Sequence, residues 1–191
     1  REDVQEYAVD EILSAIAFIE KHTGKKCDWE ALKEACEIWN GQNLAKFEKW
    51  EMNRTEIPPH TGASVWLYRV FEHQVACGVR KALHNDHKVN SILKKQVAAG
   101  KSHKTIRHRA IIWSTPANNY PDFNNWLLNC WGIESVCEMF DIHGTGLIDT
   151  STRETMLYGI ADMIETSTMR AHTKGGYEVM LYDLWDKYQE Y

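Results

Sequence analysis

Arg109-Ala110-Ile111-Ile112-Trp113-Ser114 changes the character of the chain. Upstream, apolar residues recur at helical spacing; here they run without a break, as in a strand buried on both faces. Ala110 to Ser114 therefore reads as a strand, Phe123 to Trp131 as a helix closed by Gly132, and Ile133 to Phe140 as a second strand. A β-helix-β unit of this length crosses over right-handed, so the strands are expected to be parallel with both carboxyl ends on one edge. Two loops should meet there, Thr115 to Asp122 and Asp141 to Thr150. Two strands alone make a poor open sheet, which predicts that flanking sequence adds more.

Working back toward the amino terminus, Val4, Ala8, Ile12, Ile16 and Ile19 mark one face of a helix stopped at Gly24, where a left-handed cap costs glycine little. The run Thr23-Gly24-Lys25-Lys26-Cys27-Asp28-Trp29-Glu30 leads into a second helix that Asp28 caps, with Glu30 in the first turn, where the dipole favours a carboxylate. Its stripe is Leu32, Cys36, Trp39, Phe47 and Trp50, weakened by Gly41. Pro58 and Pro59 end this arm. A third helix is expected from Val65 to about Leu83, and a short fourth from about Val89 to Ala99, stopped by Gly100. The polar stretch Lys101 to His108 forms the boundary. Arg153 to Met169 and Tyr177 to Tyr188 read as further helices. The expected fold is α/β, mainly helical by content: a helical region over 1–104, then a partial, Rossmann-like parallel α/β region over 105–191.

Composition narrows the function classes. The 191 residues are 43% hydrophobic, enough for one ordinary core or two small ones packed together. A net charge of -5 and a pI near 6.0 make nucleic acid a poor partner. No apolar run approaches the roughly 18 residues of a membrane span. Five scattered cysteines, Cys27, Cys36, Cys77, Cys130 and Cys137, are odd in number and form no close pair, which predicts reduced thiols in a cytoplasmic protein. Eight tryptophans read as large core and interface anchors. The chain opens on Arg1 with neither a basic nor an apolar leader, and so reads as an internal piece of a longer polypeptide.

Three stretches offer chemistry. Asp141-Ile142-His143-Gly144-Thr145-Gly146-Leu147-Ile148-Asp149 imitates a calcium loop, but His143 stands where a hard cation wants oxygen and Thr152 where a bidentate carboxylate should close the shell. His143, Gly144 and Thr145 read instead either as a plain turn or as a loop whose backbone N–H groups approach an anion or a thioester oxygen. His60-Thr61-Gly62-Ala63-Ser64 opens a helix, whose free N–H groups suit a phosphate or a carbonyl oxygen, although Thr61 or Ser64 as a simple cap is the preferred reading from the residues alone. Lys101, His103, Lys104, Arg107, His108 and Arg109 form a basic run, a solvated linker or a greeting for phosphates. No nucleophile–base pair, GxGxxG or P-loop is present.

Taken in order, these pieces resemble the D-component of the 2-hydroxyacyl-CoA dehydratases, the family that also contains benzoyl-CoA reductase subunits. The resemblance is carried by Thr23-Gly24-Lys25-Lys26 before Asp28, the Trp29 to Asn43 helix with Ala35-Cys36-Glu37-Ile38-Trp39-Asn40, the joint from Pro58 to Gly62, His108-Arg109-Ala110-Ile111-Ile112-Trp113, Gly132, and the Glu154 to Met169 helix. It implies an oxygen-sensitive lyase that removes water from an (R)-2-hydroxyacyl-CoA to give an (E)-2-enoyl-CoA through a ketyl radical. It further implies a 4Fe-4S cluster whose thiolate ligands lie outside this stretch, a second dehydratase subunit, and an ATP-dependent activator protein. His60, Thr61 and Ser64 would then be donors toward the acyl-CoA substrate, with His143, Gly144 and Thr145 as the loop facing it. A benzoyl-CoA-reductase-type subunit and a non-catalytic helical interaction module are the alternatives.

Overall fold

The computed structural model describes residues 2–56, 58–59, 71, 75–100, 106–112, 122–138 and 146–165. These residues are mainly helical, with one small parallel sheet. Helix α1 spans Glu2–Thr23. It closes at Gly24, whose φ is 68° and whose N–H donates to the Glu20 carbonyl at 2.9 Å. Helix α2 spans Trp29–Asn53, and its Asp28 cap accepts from the Ala31 N–H at 3.0 Å. Both ends follow from the local residues: glycine tolerates the left-handed turn, and aspartate satisfies a donor with no partner inside the helix.

Helix α3, Arg80–Ala98, corrects the expected break. The chain turns at Cys77–Val79 rather than after Leu83, and the polar run His84-Asn85-Asp86-His87 lies inside one continuous helix. The turn is set by Gly78, with φ at 69°. A Cβ there would stand 3.0 Å from the Ala35 carbonyl oxygen, so the turn lies directly on α2. Gln42 of α2 reads both sides of it, donating to the Ala76 carbonyl at 3.2 Å and accepting from the Gly78 N–H at 2.8 Å. Asp86 is wholly buried against α2, which explains why a sequence with the look of a loop stays helical.

Strand β1, His108–Ile112, pairs in parallel with β2, Ile133–Glu138, in the register His108↔Ile133 to Ile112↔Glu138, with an irregularity between Ala110 and Ile111. Parallel pairing puts both carboxyl ends on one edge, as the apolar runs predict. β1 begins two residues earlier than expected, because Arg109 is tied back to α2: its Nη1 donates to the carbonyls of Arg54 at 3.0 Å and Thr55 at 3.1 Å, just past the end of that helix. Between the strands, α4 (Phe123–Trp126) continues into a wider π turn over Leu127–Trp131 and closes at Gly132, φ 70°. Leu128 and Asn124 face inward while Trp126 and Trp131 are about half exposed, so these two tryptophans are not the core anchors that Trp39 and Trp50 are.

Helix α5, Arg153–Glu165, returns to the amino-terminal helices. Cys36 and Trp39 of α2 pack with Ile148 and Met156, and Val9 of α1 packs with Leu157 and Ala161. Trp29 touches both clusters. The core thus joins residues of α1 and α2 to residues more than a hundred positions later in the chain. The expected helix Tyr177–Tyr188 lies outside the described residues.

Candidate functional site

All six residues singled out from the sequence, His60, Thr61, Ser64, His143, Gly144 and Thr145, lie outside the described residues. The structure describes the sheet edge and the segment from 146 to 165. Ile112 and Glu138 are paired at the carboxyl end of the sheet, so the segments 113–121 and 139–145 both leave from that edge. The second segment re-enters at a fixed point. Asn40 of α2 donates through Nδ2 to the Ile148 carbonyl and accepts through Oδ1 from the Ile148 N–H, both at 2.8 Å. One side chain thereby replaces a strand partner for Ile148, across a separation of 108 residues. Gly159 of α5 completes the seat, since a Cβ there would stand 2.9 Å from Ile148 Cγ2.

Beyond Ile148 the polar residues are spent on starting α5. The Ser151 N–H donates to Asp149 Oδ1 at 2.9 Å, and the Thr155 N–H donates to Thr152 Oγ1 at 3.0 Å. The Ser151 backbone and side chain hold the Asp149 carboxyl below the usual carboxylate range. These are the ninth and twelfth positions of the calcium-like loop: Asp149 anchors a turn and Thr152 caps a helix. A strand, β2, precedes that loop where a calcium-binding hand requires a helix.

Sequence reasoning missed a buried polar layer. Gln42, Asn43, Lys46, Lys49 and Asn53 of α2 are all at least 96% buried, as are Asp86 and Asn90 of α3 and Glu134 and Ser135 of β2. Lys49 Nζ stands 3.6 Å from Asp86 Oδ1. Lys46 Nζ lies 5.5 Å from the centre of the Trp50 ring and 5.9 Å from that of Trp39, within reach of the negative ring faces. Asn90 donates to the Ala45 carbonyl at 2.8 Å and to Glu48 Oε2 at 2.6 Å. The signal was present, in polar residues at 42, 46, 49 and 53 winding past Trp39 and Trp50. Residues spaced this way share a helix face, but from one strand of sequence such a face reads as solvated.

Among the described residues the buried charged side chains are Lys46, Lys49, Asp86 and Glu134. At low effective dielectric such groups need partners, as Lys49 has in Asp86 and Asn90 in the Ala45 carbonyl, and α2 and α3 meet there on a polar floor. Rims of the floor are ionic as well: Lys94 Nζ meets Glu48 Oε1 at 2.5 Å, and together with Asn90 it holds the Glu48 carboxyl below its ordinary value.

Cys36 is sealed in the core with Trp39 and Met156, and burial, with Glu37 nearby, pushes its pKa up, which keeps it a neutral thiol. Cys27, partly buried, and Cys130, exposed, carry free thiols. Among the described residues no group of three or more His, Cys, Asp or Glu could hold a metal ion, and no helix is long and apolar enough to cross a membrane.

No curated protein and no solved structure matches the chain. The family model for the 2-hydroxyglutaryl-CoA dehydratase D-component matches residues 1–189, in agreement with the resemblance carried by the helix starts, the proline joint and the strand entry. With nearly its whole length matched, the chain belongs to the 2-hydroxyglutaryl-CoA dehydratase D-component family.

Proposed function

We propose that the full-length protein is a subunit of a 2-hydroxyacyl-CoA dehydratase, removing water from an (R)-2-hydroxyacyl-CoA to give the (E)-2-enoyl-CoA. The observation that carries this reading is the family match over residues 1–189. The common sheet edge supports a Rossmann-like arrangement with the acyl-CoA thioester at the strands' carboxyl ends, near His143, Gly144 and Thr145. In the same reading, His60, Thr61 and Ser64 are hydrogen-bond donors toward the substrate.

The chemical difficulty explains why donors matter. The hydrogen at C3 of a 2-hydroxyacyl thioester is not acidic, and hydroxide is a poor leaving group from C2. One electron on the thioester carbonyl, giving a ketyl radical, allows the hydroxyl to depart and makes C3–H acidic; once that proton is lost the electron is given back, so the net change is the loss of water. Donors aimed at the carbonyl oxygen stabilise the charge that develops there. A 4Fe-4S cluster supplies that electron in this reading. Its thiolate ligands belong, in this reading, to parts of the full-length protein outside this stretch, and Cys36, sealed in the core, is not among them. A second subunit, an ATP-dependent activator protein and a cytoplasmic location belong to the same reading.

The test uses the full-length complex. Turnover of 2-hydroxyacyl-CoA, with iron and sulfide in the purified protein, is the expected result. Turnover of aromatic acyl-CoA alone would reassign it as a benzoyl-CoA-reductase-type subunit. Protein free of iron and sulfide would point to a helical interaction module. His60→Ala should lower turnover in the complex, and unchanged kinetics would remove His60 from the site.

A further inference from the structure

Helix α3 bears cations and no acid where it meets water. Arg80, Lys81, His84, His87, Lys88, Lys94 and Lys95 are exposed, and the one acid of the helix, Asp86, is wholly buried. These basic residues divide into two sets. Those beside α2 have acids to meet: Arg80 pairs with Glu34, Lys94 pairs with Glu48, and His87 adds to the positive field around Glu48. The far side has none. With 3.6 residues per turn, Lys81, His84, Lys88, Ile92 and Lys95 fall within about 80° of one another, opposite the buried Asp86 and Leu93. Among the described residues, none of Lys81, His84, Lys88 and Lys95 makes an ion pair.

Such a face works against the helix that carries it. Like charges at spacings of three and four destabilise a helix, and Lys81 stands in the first turn, where the dipole disfavours a cation and no acid accompanies it. Solubility needs neither arrangement, since mixed signs serve it as well in a chain of net charge -5. The row runs for about 21 Å from Lys81 to Lys95, and Ile92, 49% exposed, sits between Lys88 and Lys95. A phosphate makes no use of an exposed isoleucine, and the overall negative charge repels long polyanions such as nucleic acid or an anionic membrane. An acidic helix uses both features. Its carboxylates meet the lysines, and an aliphatic side chain between them covers Ile92 and the apolar lysine stems. We propose that the outer face of α3 is a docking surface for a partner protein that presents an acidic amphipathic helix.

Fluorescence anisotropy of a labelled helical peptide of about four turns, with glutamates flanking a leucine row, tests this against the full-length protein. The wild type should bind it, and more weakly as salt is raised. Lys88→Glu with Lys95→Glu should weaken binding by about tenfold or more, and Ile92→Ser by about threefold. Lys21→Glu with Lys25→Glu makes the same change of net charge at exposed residues elsewhere and should leave the affinity within about twofold. As a second arm that only removes charge, Lys88→Gln with Lys95→Gln should cost about threefold. A wild type that does not bind, or equal losses in the Lys88/Lys95 and Lys21/Lys25 variants, would overturn the proposal. So would binding indifferent to Ile92→Ser together with tighter binding of duplex DNA or of phosphatidylserine vesicles, which would give the face to nucleic acid or membrane.

Discussion

Replacing Asn40 by alanine removes the single amide that holds Ile148, and its cost can be worked from the geometry. Two hydrogen bonds of 2.8 Å are lost, leaving the N–H and carbonyl of a residue only 5% exposed without their partners. An unsatisfied buried backbone group costs about 1–3 kcal/mol, and the carbonyl recovers part of its loss through water more readily than the N–H, so about 2 kcal/mol is expected for the pair. For a chain of this size that corresponds to a fall in Tm of about 4–8 °C. Urea or thermal unfolding followed by tryptophan fluorescence measures the loss, and hydrogen exchange at the Ile148 amide should accelerate with it. Asn40→Asp sharpens the test. It retains the acceptor for the Ile148 N–H but sets a carboxylate oxygen against the Ile148 carbonyl, which raises the folded-state pKa of the new acid above its unfolded value. The variant should therefore be least stable at neutral pH and approach the wild type as pH falls through that raised pKa, where the protonated acid can donate as the amide did. A loss below about 0.5 kcal/mol in Asn40→Ala, or an Asn40→Asp variant whose deficit does not shrink on acidification, would refute the clamp.

Three further outcomes follow from other parts of the structure. Gly24 and Gly78 share a left-handed backbone, but only Gly78 faces another helix, so Gly24→Ala should cost about 1 kcal/mol and Gly78→Ala distinctly more by denaturant titration, since its Cβ meets the Ala35 carbonyl. Lys49→Met takes the cation away from the wholly buried Asp86 and should cost about 3 kcal/mol, whereas Lys49→Met with Asp86→Leu should regain most of it; equal losses in the single and double variants would mean the pair is not coupled. Glu48 is held below its ordinary pKa by Lys94 first and Asn90 second, so its contribution is present above the unfolded value and is lost as pH falls through the folded one. The stability difference between the wild type and Glu48→Gln, followed against pH, should accordingly shrink toward zero on acidification.

Local chemistry is legible wherever a residue's reason for its conformation lies within a few positions of it. Gly24 needs only its missing Cβ to end α1, and Asp28 only its own carboxylate to start α2. The apolar runs around Ala110 and Ile133 are long and uninterrupted enough to give a parallel pair. The polar run at 84–87 misleads for the opposite reason, because Asp86 is helical by virtue of Lys49, and nothing near it in sequence supplies that partner. Tryptophans show the same limit: Trp39 and Trp126 have the same composition signal, yet one is buried under Lys46 and the other stands half exposed on α4. As to the site, the residues chosen by motif, His60, Thr61, Ser64, His143, Gly144 and Thr145, lie outside the described residues.

By itself the sequence determined where helices begin and end at glycine and aspartate, that two strands run parallel, and which family the order of these pieces resembles, because each rests on short-range sterics or on patterns that repeat along the chain. Only the tertiary structure decided that the face of α2 bearing Lys46 and Lys49 is buried, that the chain turns at Gly78, and that Asn40 grips Ile148. A charged or amide side chain is sequestered only when a distant segment brings its counterpart within a few ångströms, and that meeting is a property of packing, which periodicity along one helix does not encode.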